Sequence, residues 1–90
     1  MINEDLKYIA DHYGLEHQLG KCKEELVELI EAIDSLDERA IVEEIADVEI
    51  MTEQLKYLMR TGPSVEIYKE YKIARQLRRI AEEQSHECDN

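Results

Sequence analysis

The stretch EELVELIEAIDSLDERAIVEEIAD, residues 24–47, decides the fold. Its apolar residues recur at three- and four-residue intervals, the period of a helix with one buried side. In its middle lies Ser35-Leu36-Asp37-Glu38, which has the form of a capping box. There a Ser hydroxyl and a Glu carboxylate three residues on would satisfy the first free amides of a new helix. Two helices joined by so short a link must lie antiparallel and side by side.

The helical pattern extends both ways from this hairpin. Upstream, the second helix is expected from about Leu15 to Ile33, with an apolar stripe of Leu19, Cys22, Leu26, Leu29, Ile30 and Ile33. Gly20 lies inside it, at a cost of ~1 kcal/mol relative to Ala. A first helix is expected from a cap at Asn3 to about Tyr13, with Gly14 ending it. Downstream, the third helix runs from Leu36 to about Arg60, where Gly62-Pro63 stops it. Ser64 then caps a fourth, reaching about Glu83. No run of β-branched residues alternates with polar ones, so the expected class is all-α with four helices. Residues 1–84 are expected to form one domain, and 85–90 a frayed polar tail.

The third helix carries two apolar stripes. Ile41, Ile45, Val48, Leu55 and Met59 form one. Val42, Ala46, Ile50 and Tyr57 form another on roughly the opposite side at ~100° per residue. A helix that is apolar on two sides is buried on two sides. With 90 residues the chain can bury only about 60% of its unfolded surface. A second subunit is therefore expected to cover the other stripe, making a homodimer or homotetramer. The two cysteines, Cys22 and Cys88, lie too far apart in sequence to suggest a disulfide staple. Cys22 falls on the apolar stripe, as an inert core thiol would.

The formal net charge is −11, from 22 acids and 11 bases. Such a surface repels nucleic acid and attracts cations. No apolar run approaches the ~18 residues of a membrane span, and no signal peptide is recognisable. The expected location is the cytoplasm.

Most of the acids solvate helix faces, but two pairs differ from the rest. Glu25 and Glu28 are three apart on one helix, as Glu44 and Asp47 are on the next, and residues so spaced share a face. Glu28 is five residues before Ile33 and Glu44 eight after Leu36, so the pairs meet at similar heights across the hairpin. Glu44 is flanked by Ala40, Val48 and Met51, inside an apolar arc. Four carboxylates converging beside a core must either take up protons or hold a cation. With oxygen ligands and no histidine or thiolate, the fitting ions are Mg²⁺ and, as a substitute, Mn²⁺. A di-iron bundle would want Glu-x-x-His pairs, which are missing.

Glu24-Glu25-x-x-Glu28 followed by Glu44-x-x-Asp47 resembles the signature of MazG-like nucleoside triphosphate pyrophosphohydrolases. The likeness extends upstream to Gln18 and Lys21 and downstream to a basic fourth helix, covering most of the chain. It implies an all-α bundle completed by subunits packing together. It also implies Mg²⁺-dependent cleavage of a nucleoside triphosphate to monophosphate and pyrophosphate. Carried over by position, Glu25, Glu28, Glu44 and Asp47 would be the metal ligands. Glu24 matches the first acid of the motif. The 90 residues are short for the family, and no second catalytic domain is expected among them.

Phosphates need cations, and Lys69, Lys72, Arg75, Arg78 and Arg79 crowd one segment. Lys72, Arg75 and Arg79 share a face and are candidates for phosphate contact, as similar helices of the family supply phosphate-binding cations. The same bases also suit the C-terminal half of any helix. Gln18 and Lys21 lie in line with Glu25 and Glu28 and could touch base or sugar and phosphate respectively; a solvated surface is the alternative. His12 and His17 flank the same turn and are expected to be surface residues. With no Gly-rich phosphate loop and no nucleophile elbow, water must be the attacking group in any hydrolysis. Glu24 or Glu28 is the candidate to take its proton. The competing expectation is a non-catalytic helical interaction or regulatory protein with a degenerate metal site.

Overall fold

A computed structural model describes residues 2–88. They form three helices, α1 (Glu4–Ser35), α2 (Glu38–Met59) and α3 (Gly62–Cys88), and no strand. The class is all-α as expected, but the count is three rather than four. The break expected at Gly14 is present as a kink: residues 4–13 and 15–35 are two helical segments that meet there and together make α1. There Gly14 adopts φ 82°, ψ 167°, a region open in practice only to glycine.

The helix ends differ from expectation in instructive ways. Asn3 caps α1 as foreseen, its side chain accepting from the Asp5 and Leu6 amides at 2.7 and 3.4 Å. The capping box does not form. Ser35 is still helical, and its hydroxyl donates to the Ala32 carbonyl at 2.7 Å while accepting from the Asp37 amide. Leu36 closes α1 in the left-handed conformation, φ 60°. Asp37, not Ser35, then caps α2 by accepting from the Arg39 and Ala40 amides. Likewise Ser64 caps nothing, because α3 has already begun at Gly62. The Val65 amide donates to the Thr61 carbonyl at 2.9 Å, and Pro63 sits in the first turn, where its missing N–H costs little. At the far end α3 runs beyond Glu83 to Cys88, so Ser85 and His86 of the expected tail are helical. Residues 89–90 lie outside the described part.

α1 and α2 pack along their lengths as an antiparallel hairpin, whereas α3 touches α2 only sparingly and α1 not at all among the described residues. The chain is accordingly extended, 58 × 34 × 20 Å with a radius of gyration of 17.4 Å, against about 12 Å for a compact chain of this length. The hairpin interface is unusual in composition. Along α1 it uses Ala10, Gln18, Cys22, Glu25 and Ala32, and along α2 Met51 and Gln54. The expected α1 stripe splits. Cys22 and Leu29 turn inward, while Leu19, Leu26, Ile30 and Ile33 stay on the flank, Ile30 being 59% exposed. On α2 Ile41, Val48 and Leu55 are half-buried, and Val42, Ala46 and Ile50 of the second stripe face out. Small and sulfur-bearing apolar side chains thus share the seam with Gln18, Glu25 and Gln54, and the larger aliphatic ones line its edges.

Candidate metal centre

The seam is built around carboxylates. Glu25 and Glu28 of α1 and Glu44 and Asp47 of α2 each bring an oxygen to within 4.8 Å of the others. Two facts make this more than an acidic surface. Glu25 is 8% exposed, and its Oε2, like Glu44 Oε2, is buried without a hydrogen-bond partner. An unsatisfied buried carboxylate oxygen is costly. Burial first, then the charges of Glu28, Asp47 and Glu25, push the Glu44 carboxyl above the usual carboxylate range. A cation placed among these oxygens would relieve both strains. The donor set, four carboxylates and no nitrogen or sulfur, fits a hard divalent ion such as Mg²⁺ or Mn²⁺.

Lys21 divides the Glu25 carboxylate. Its ammonium lies 3.4 Å from Glu25 Oε1 and 3.4 Å from Glu24 Oε2. One Glu25 oxygen is therefore paired with an ammonium, and the other is buried without a partner. Those two acids hold Lys21 protonated above its ordinary range, Glu24 contributing most. Glu24 itself is exposed and stands outside the four-carboxylate cluster.

A pocket of about 650 Å³ adjoins the cluster, lined at one end by Lys21, Glu24, Glu25 and Asp47 and at the other by Tyr13, His17, Gln18 and Gln54. Gln18 is in the pocket wall, but its amide is engaged at both ends: Nε2 donates to Gln54 Oε1 at 2.8 Å, and Oε1 lies 2.7 Å from His17 Nδ1. Apolar periodicity could not reveal Gln54, the most buried large side chain, because it fills a core position with an amide. The available signal was its place one turn after Met51 on the Glu44–Asp47 face. Tyr13 stacks on His17, ring centres 4.7 Å apart and planes at 17°.

The cations of α3 are not brought to this site within one chain. Lys72 and Arg79 are exposed, and Arg75 packs its guanidinium over the Tyr71 ring, 5.8 Å from its centre. Their helix makes no contact with α1. Among the described residues no helix is long and apolar enough to cross a membrane. No protein-family model, curated protein or solved structure matches the chain.

Proposed function

We propose that the chain is a Mg²⁺-dependent nucleoside triphosphate pyrophosphohydrolase of MazG-like type, working in the cytoplasm as a homodimer or homotetramer. The observation that carries this reading is the convergence of Glu25, Glu28, Glu44 and Asp47, with two buried oxygens left without partners. A divalent ion held there would supply the electrophile that neutralises the polyphosphate and activates water.

The chain's own residues would do the rest. Lys21 anchors Glu25 Oε1 and would leave the buried, unpartnered Oε2 for the ion. Glu24, at the pocket rim beside Lys21, would accept the proton of an attacking water; Glu28, an exposed member of the cluster, is the other candidate. Lys21 can also meet a phosphate by leaving Glu24. Lys72, Arg75 and Arg79 could contribute to such a site only from the α3 of another copy. Assembly is supported by the exposed apolar edges of the hairpin and by α3, whose Ile67, Tyr71 and Leu77 are each more than half exposed.

Those same exposed faces favour a second reading, a non-catalytic helical partner-binding protein. Pyrophosphate release from a panel of nucleoside triphosphates, with and without Mg²⁺, separates the two. Release that depends on Mg²⁺ supports the enzyme, and release from no nucleotide leaves the second reading.

A further inference from the structure

The inner end of the pocket is a chain of hydrogen bonds whose direction is set by the backbone. The Ile50 carbonyl can only accept, so Gln54 must present Nε2 to it, at 3.3 Å. That turns Gln54 Oε1 toward Gln18, which donates from Nε2 at 2.8 Å. Gln18 Oε1 is left 2.7 Å from His17 Nδ1. An oxygen acceptor at that distance requires the proton on the nitrogen. Neutral His17 is thereby held with hydrogen on Nδ1, and its Nε2 can only accept.

The order cannot easily reverse. Gln54 is 1% and Gln18 3% exposed, so flipping either amide would set oxygen against oxygen in a buried place. The free end is His17, which is exposed to the pocket and stacked under Tyr13. The pocket therefore offers an aromatic wall, the apolar side chains of Ile9 and Met51, and a fixed acceptor, with the carboxylate cluster at its other end. That combination suits a flat heterocycle joined to phosphates.

Resting on the reading of the cluster as the phosphate end of the site, we propose that this pocket seats the base of the nucleotide. We propose further that His17 Nε2 selects bases carrying an exocyclic amine over their keto counterparts. An amine donates to Nε2, whereas a carbonyl in the same place opposes two lone pairs. A site with a fixed polar group discriminates strongly against the wrong partner. His17 is the recognising residue, and Gln18 and Gln54 position it.

Two measurements test this without any turnover. Nitrogen NMR of the imidazoles, near neutral pH, should find the Nδ1–H tautomer at His17. Gln54→Leu should move it to the Nε2–H form that free imidazole prefers. Binding titrations in Mg²⁺ should show CMP and AMP held about tenfold more tightly than UMP and IMP, the loss expected when one hydrogen bond is replaced by opposed lone pairs. The exposed His17→Ala change should keep the fold and abolish the preference. An Nε2–H tautomer in the wild type, equal binding of each pair, binding of none of the four, or a preference that survives His17→Ala would overturn the proposal. A chain that shows the tautomer and the preference but releases no pyrophosphate would refute the enzyme reading alone.

Discussion

Tyr57 of α2 donates its hydroxyl hydrogen to the carboxylate of Asp11, 46 residues earlier, with the two oxygens at 2.8 and 3.0 Å. Asp11 belongs to the segment of α1 before the Gly14 kink, so this contact pins that segment across the end of α2. Lys7 adds its ammonium 5.9 Å from the Tyr57 ring centre. The pinned segment carries Ile9 and Tyr13, one wall of the pocket. Tyr57→Phe should therefore free residues 4–13 while costing only about 0.5–1.5 kcal/mol, the net worth of one hydrogen bond. Amide exchange in that segment should quicken, with exchange around Cys22 and Met51 unchanged.

Gly14→Ala tests the kink itself. A Cβ at Gly14 meets nothing within 4 Å, so only the backbone conformation opposes it. That φ, ψ pair costs a residue other than glycine about 1–3 kcal/mol. Either the unfolding free energy falls by that amount, or α1 straightens and separates Asp11 from Tyr57. In the second case Tyr57→Phe would have no further effect in the Gly14→Ala background, a double-mutant cycle that distinguishes the outcomes.

Much of this arrangement was legible in the sequence. The i, i+3 spacing of Glu25 with Glu28 and Glu44 with Asp47, plus the short link, was enough to bring the four together. The link itself was misread, because Ser35-x-x-Glu38 has capping-box form while Asp37 lies nearer the new helix and Leu36 accepts a left-handed turn. The apolar stripe of α1 gave the inward face only in part, at Cys22 and Leu29. Periodicity ranks residues by hydrophobicity, and here Gln18, Glu25 and Gln54 share the seam with Ala10, Cys22, Ala32 and Met51. The course of α3 was not legible at all, since the Arg60–Gly62 turn sets its direction and no side-chain pattern encodes that angle.

The clustered acids predict an inverted pH dependence for the metal-free protein. The Glu44 carboxyl is raised by burial and by Glu28, Asp47 and Glu25. The folded state therefore holds a proton that the unfolded state has released, and stability falls as pH rises from the ordinary carboxylate pKa toward the raised one. Melting in EDTA should drop across that window. Glu44→Gln, which cannot titrate, should flatten the drop. A drop of the same size in Glu44→Gln would assign it to the overall charge of −11.

Metal should oppose that loss. A ligand that binds only the native state stabilises it by RT ln(1 + [L]/Kd). Mg²⁺ or Mn²⁺ at one hundred times Kd would thus add about 2.7 kcal/mol. Na⁺ at equal ionic strength should raise melting much less, since screening acts on all charges alike. Equal shifts would reduce the cluster to a charged surface.

Assembly can be tested at the hairpin edge. Ile30 and Ile33 of α1 and Val42 and Ile45 of α2 are 40–60% exposed apolar side chains beside the seam. If a second copy covers them, sedimentation of dilute protein should give a dimer or tetramer, and Ile30→Asp should shift it toward monomer with loss of stability. A folded wild-type monomer at micromolar concentration would exclude the subunit contact and with it any role for Lys72, Arg75 and Arg79 at the cluster.

The sharpest test compares acids on one helix. Glu44→Ala and Asp47→Ala should abolish hydrolysis, while Glu43→Ala and Glu49→Ala should leave it nearly unchanged. All four remove one negative charge from α2 and introduce the same strong helix former, so net charge and propensity are matched. They differ in direction. Glu44 and Asp47 reach the seam and the Glu25–Glu28 pair, whereas Glu43 is exposed and lies 3.6 Å from the Arg39 guanidinium, and Glu49 is exposed. Losing Glu44 also removes a group strained by its neighbours, so the metal-free Glu44→Ala protein should melt no lower than wild type. Lost activity in a chain of undiminished stability would place the effect on chemistry rather than folding. Full activity in Glu44→Ala, or equal loss in all four variants, would remove the cluster from the mechanism.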